Sequence, residues 1–198
     1  MDPAGIRRRP EKTEVLIMNK KIRWITETAV LLALLVSLQA LTKDFGQFVT
    51  GSCVNAVLAV AVLVGGLWSG VAIALVSPVL AFLLGIAPQI LTVPAIMVGN
   101  SVFVVFLHLI AGPKEAALGQ RVAGWLLAAV AKFAALYFIV VKLICGVMAD
   151  SLLAAGTLKE PMLNALPATF SWPQLITALI GGGIAMVIVP VIRKALHR

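Results

Sequence analysis

The stretch LLAAVAKFAALYFIV is apolar but for one residue, Lys132. An ammonium in the middle of an apolar run is costly, and it usually faces a bundle interior or a cavity. The chain carries amides that could serve the same place: Asn55, Asn100, Gln89, Gln174 and Gln47. Each amide offers an acceptor oxygen and two donor hydrogens. Trp125 shares the helical face of Lys132 with Ala128, Ala129, Leu136 and Ile139, and Phe45 lies in the segment TKDFGQFVTG. An aromatic, small residues, amides and one ammonium could together hold a flat or anionic ligand. The substrate-binding candidates that these residue types suggest are therefore Lys132, Asn100, Asn55, Gln89, Gln174 and Trp125.

Other chemistries lack their parts. The sequence contains no GxxxxGK[ST] phosphate loop, no HExxH and no GxSxG. Cys53 and Cys145 have no metal-ligand spacing and read as apolar-flanked free thiols, with a disulfide as the alternative. His108 stands alone near the end of its apolar run, where an interfacial role suits it better than a catalytic one. No carboxylate is embedded at depth in an apolar segment, as a proton relay would require; Glu27 stands in the TET entry of the first. No catalytic residue, metal site or cofactor is expected.

The elements that must position these groups are membrane helices. The chain is 61% hydrophobic and only 12% charged, with a mean hydropathy of +1.06. A soluble domain is nearer half apolar and a quarter charged. A helix needs about 20 apolar residues to cross a bilayer core. Six such segments occur, over 24–41, 52–67, 69–87, 93–110, 122–145 and 173–192. The expected fold is all-α: a polytopic membrane protein with six transmembrane helices in one compact bundle over 21–198, preceded by a flexible basic segment, 1–20. Met18 opens MNKKIRW, which has the form of a bacterial start; a disordered tail before it fits equally well. The longest connection, 146–172, has room for a short helix.

The net charge of +8 on 16 Lys and Arg is better explained by topology than by nucleic-acid binding. Only Lys43 and Lys159 fall in loops on one side; Lys132 and Lys142 lie within the fifth segment, and the rest collect on the side of the two termini. The positive-inside rule then places both termini in the cytoplasm. Gln39, Asn55, Gln89, Asn100, Gln174 and Thr177 all fall toward the outer half. Either they surround an outward-facing pocket, or they are hydrogen-bonding glue between helices. Lys132 itself lies roughly 15 Å deep, bound to a ligand, snorkelling or paired internally. Lys142 reads as a snorkelling anchor near the outer end. Pro78 is expected to kink the third helix.

The first helix carries small residues at four-residue steps, Ala29, Ala33 and Ser37, a pattern that permits close approach of another helix inside or outside the bundle. Together with AVLLA, GGLWSGVAIALVSPVLAFLLG, PAIMVGNSVF, AKFAALY and WPQLITALIGG, the chain resembles a substrate-binding S component of an energy-coupling-factor (ECF) vitamin transporter over about 20–198. The resemblance implies high-affinity binding of a vitamin or related micronutrient in an outer-half pocket capped by TKDFGQFVTG, which adds Phe45 and Gln47 to the substrate-binding candidates. It implies that Ala29 and Ala33 dock on a membrane coupling subunit, that two cytoplasmic ATPase subunits supply energy, and that the chain resides in the bacterial plasma membrane. A ligand-free membrane scaffold or assembly protein is the alternative.

Overall fold

A computed structural model describes residues 8–86, 89–113 and 116–196, with side chains from Asn19 onward. Among these residues the chain is helical throughout and has no strand. Helix α1 spans Arg8–Thr42 and leads through a 3-10 turn, Lys43–Phe45, into α2, Gln47–Gly65. Then come α3, Leu67–Leu83, a 3-10 turn Ile90–Thr92, and α4, Val93–Ala111. Helix α5, Leu118–Leu136, continues as a π-helical stretch, Tyr137–Val147. Two short helices, α6 (Ala149–Ala154) and α7 (Glu160–Phe170), precede α8, Trp172–Ala195.

Among the described residues, five stretches are long and apolar enough to cross a membrane: Asn19–Phe45, Gln47–Gly65, Ile90–Ala111, Leu118–Val147 and Glu160–Ala195. Helix α3 is apolar but, at 17 residues, shorter. Exposed large side chains such as Val30, Leu109, Val130, Val187 and Val191 give the outer surface the character of a lipid-facing one. The chain is therefore a membrane protein by its helices.

Several boundaries differ from expectation. From Arg8 to Lys20 the chain is helical and continuous with α1, where a flexible segment was expected; Pro10 near the start suits a first helical turn. The reversal between α2 and α3 rests on one residue, Gly66, at φ 89°, a conformation that glycine alone adopts freely. The long connection holds two helices rather than one. Helix α3 runs through the buried Pro78. Its expected end at Ala87 lies outside the described residues, as do Lys114 and Arg198 of the basic loops.

Two apolar cores organise the bundle. The larger is centred on Leu35, Leu58, Val62, Ile73, Phe103 and Leu107. The smaller joins Ala95, Leu136, Val140 and Ile144 to Leu158, Met162, Leu166 and Phe170. Glycines let two helix pairs close tightly. A Cβ at Gly181 of α8 would stand 2.5 Å from Ser52 O and 2.6 Å from Asn55 Cβ of α2. A Cβ at Gly99 of α4 would stand 2.6 Å from Leu136 Cγ of α5. Small residues at such crossings bring backbones together in membranes, where helix association gains no hydrophobic drive. At the far end of the bundle, Arg193 Nη2 donates to Leu63 O at 2.6 Å, satisfying a carbonyl in the last turn of α2. Thr28 and Ser69 share a hydroxyl contact of 2.8 Å between α1 and α3.

Candidate functional site

The two tight helix pairs bring the buried polar groups together. Lys132 sits on α5 one turn before Leu136, the residue that fills the groove at Gly99. Its Nζ donates to Asn100 Oδ1 on α4 at 2.7 Å and to Asn55 Oδ1 on α2 at 2.6 Å. Lysine has donors only, so both asparagines must turn their oxygens toward it. That orientation directs Asn55 Nδ2 to Thr177 Oγ1 on α8, at 3.3 Å. The Thr177 hydroxyl in turn donates to Gln174 O at 3.2 Å, and Gln174 Nε2 donates to Thr169 O on α7 at 3.2 Å. A single hydrogen-bonded chain thus ties five helices. Lys132 is 3% exposed, Asn55 and Asn100 are each 1% exposed, and Thr177 is fully buried. The Phe103 ring, one turn from Asn100, lies 5.7 Å from Nζ and presents its negative face to the cation.

Above this cluster is a cavity of about 270 Å³. It lies where the two cores meet, because Val54 lines it from the side of the larger core and Met162, Leu166 and Phe170 from the smaller. Lys132, Asn55 and Asn100 form its polar floor, with Gln39, Gln47, Gln89, Thr92 and Gln174 among its walls. No Asp or Glu is found among the described residues that line it. Two polar atoms in the lining are buried without a partner, Asn100 Nδ2 and Gln39 Oε1. The site therefore holds one positive charge balanced by no acid, an uncommitted amide donor and an uncommitted acceptor.

Of the eight residues singled out in the sequence, six line this one cavity: Lys132, Asn100, Asn55, Gln89, Gln174 and Gln47. Phe45 does not. It ends the 3-10 turn after α1 and is 72% exposed. The segment 42–51 is only partly a loop: α2 begins at Gln47, so Gln47, Thr50 and Gly51 reach the cavity from its first turns. Trp125 is also absent from the lining. Two turns from Lys132, it is consumed by packing, its indole lying against α8 where Gly182 and Gly183 leave room. Helix α7 supplies a wall that the sequence reading missed, through Met162, Ala165, Leu166, Thr169 and Phe170. Its apolar spacing, Met162, Leu166 and Phe170 at four-residue steps, was the available signal.

The remaining candidates are dispersed. Ala29, Ala33 and Ser37 are all exposed on α1, so that stripe is not used for packing within the chain. Lys142 is exposed, with its Nζ 5.6 Å from the Tyr137 ring centre. His108 is half-buried at the end of α4, beside a cleft shared with Arg121 and Arg193. Cys53 and Cys145 are both free thiols. Comparison with family models, curated proteins and solved structures returned no match for this chain.

Proposed function

We propose that this chain is the substrate-binding subunit of a micronutrient uptake system, an S component of the ECF type. In this reading it crosses the bacterial plasma membrane six times, with α3 as the short span and both termini in the cytoplasm. It has no enzymatic activity and no cofactor. It captures a vitamin or related micronutrient from outside, and separate coupling and ATPase subunits provide the energy. One observation carries the proposal: a cavity at one end of the bundle whose floor is an ammonium held by two neutral amides. A closed structural core has little reason to retain both a void and an uncompensated cation. The exposed Ala29, Ala33 and Ser37 stripe supports the second half of the reading, because it leaves a close-approach face open for the coupling subunit.

The competing reading is a ligand-free scaffold. The contacts from Lys132 to Asn55 and Asn100 favour it, since they are the contacts that interhelical glue would make. Native mass spectrometry of the chain purified from its host membrane separates the two. Retention of a small molecule, and thermal stabilisation by one member of a vitamin panel, is the expected result. A ligand at a hundred times its Kd adds about 2.7 kcal/mol of stability. A chain that retains nothing and responds to no member of the panel is a scaffold.

A further inference from the structure

The chemistry of the cavity floor narrows the ligand, and the narrowing rests on the binding-subunit reading just given. The Lys132 ammonium has three N–H groups. Two are accepted by Asn55 and Asn100, which leaves one. Asn100 holds the ammonium with its oxygen, so its own unpartnered Nδ2 belongs to the same carboxamide, beside the charge. The floor therefore offers donors, and asks for acceptor oxygens in return.

Charge sets the valence. One ammonium faces the cavity, and among the described residues lining it there is no second cation and no acid. A single negative charge neutralises this; a dianion such as a phosphate monoester would leave one charge buried and unbalanced, at high cost. Size sets the scale. A volume of about 270 Å³ is at the small end of ligand pockets, which run from about 300 to 1,000 Å³, so the ligand is small. Beside its polar walls the cavity has apolar lining from Ile96 and, on α7, from Met162, Leu166 and Phe170.

We propose that the ligand is a small monocarboxylate, with its carboxylate on Lys132 and Asn100 and a compact, largely apolar body against α7. One carboxylate oxygen takes the third N–H of Lys132. The other takes Asn100 Nδ2, and Gln39 Oε1 accepts from a hydroxyl or N–H on the body, after side-chain turns that open these two atoms, both buried and unpartnered in the ligand-free chain.

The test uses the full-length chain in lipid nanodiscs and pairs each acid with its neutral amide: benzoate with benzamide, nicotinate with nicotinamide, hexanoate with hexanamide. Binding is read by thermal shift and titration, and native mass spectrometry identifies whatever the chain retains from its host. The expected result is that at least one acid of the panel, or a retained small carboxylate, binds about 30-fold or more tightly than its amide. In Lys132→Met that preference falls to within about threefold. Should this variant fail to fold, the acid-to-amide ratio of the parent chain decides alone. An amide that binds as tightly as its acid overturns the proposal, as does an acid preference that survives Lys132→Met. A retained neutral molecule, dianion or long-chain fatty acid overturns the carboxylate class while leaving a binding subunit. A chain that retains nothing and binds no member of the panel overturns both.

Discussion

Replacing Gly181 with alanine tests whether the close approach of α2 and α8 builds the site. The new Cβ would stand 2.5 Å from Ser52 O, 2.6 Å from Asn55 Cβ and 2.7 Å from Ala56 N. Ordinary carbon contacts are at roughly 3.5–4.0 Å, and none of these three obstacles moves by a rotamer change. The helices must separate by about 1 Å to restore normal contact. Overpacking of this kind costs about 1–3 kcal/mol. The Asn55 to Thr177 hydrogen bond is already 3.3 Å long, so the same movement breaks it, at a further cost of about 0.5–1.5 kcal/mol. The better helix propensity of alanine returns about 1 kcal/mol. The net destabilisation is then about 0.5–3.5 kcal/mol, or about 1–14 °C in Tm for a chain of this size. Gly119→Ala is the control, because nothing lies within 4 Å of its added Cβ; it should leave Tm unchanged or slightly raised. Scanning fluorimetry of both variants in one detergent makes the comparison. A Gly181→Ala protein melting within about 1 °C of the parent would refute the claim that this crossing is filled to contact.

Lys132→Met leaves Asn55 Oδ1 and Asn100 Oδ1 without their donor, at about 1–3 kcal/mol each, against the several kcal/mol recovered by removing a buried charge, so the ligand-free chain should stay within about 3 kcal/mol of the parent. A loss of more than about 3 kcal/mol in chemical or thermal unfolding would make Lys132 a structural strut. Phe170→Ala, which empties a buried cavity wall, should cost about 3–5 kcal/mol and weaken ligand binding; Phe45→Ala, at an exposed turn, should change neither within about 0.5 kcal/mol. Measuring both in one titration series checks the placement of the cavity. If the proposed docking on a membrane coupling subunit holds, Ala33→Leu should leave ligand affinity intact while abolishing co-purification with that subunit; intact co-purification would remove α1 from the docking face. Maleimide labelling after unfolding without reductant should modify both Cys53 and Cys145, and a labelling yield that depends on reductant would reveal a disulfide.

The apolar segments were legible because a bilayer-length run leaves little freedom: α4, expected over 93–110, spans Val93–Ala111. Ends were less legible where polar residues sit on helices. Gln47 reads as loop beside Lys43, Asp44 and Gly46, yet α2 begins there, since Gly46 at φ 85° completes the turn and frees the next residue to start a helix. The amides were legible as a group because a buried carboxamide needs a partner. Their partners were not, because pairing Asn55 with Thr177 and both asparagines with Lys132 depends on which helices touch. That is decided by Gly99 and Gly181, and glycines in an apolar run do not announce which neighbour will fill them. Trp125 shows the converse failure. Helical spacing put it on the face of Lys132, but 3.6-residue periodicity cannot tell the stretch of that face above the lysine from the stretch below. The indole fills the groove at Gly182 and Gly183 instead.

The choice of asparagine over aspartate around Lys132 carries the functional argument. An aspartate at Asn55 or Asn100 would accept the same hydrogen bond and neutralise the ammonium, and the pair would then be complete within the chain. A neutral carboxamide orients the ammonium without cancelling its charge. The electrostatic demand is thereby left for something else to meet, beside a space that can admit it. Amides on both sides also fix Nζ from two helices, α2 and α4, so the charge is held in place before any ligand arrives. A preorganised cation loses little on binding, and the energy of the new contact goes into affinity. Interhelical glue would use these hydrogen bonds but has no need of the charge: hydrocarbon of the same volume would hold the helices without the cost of a buried ion.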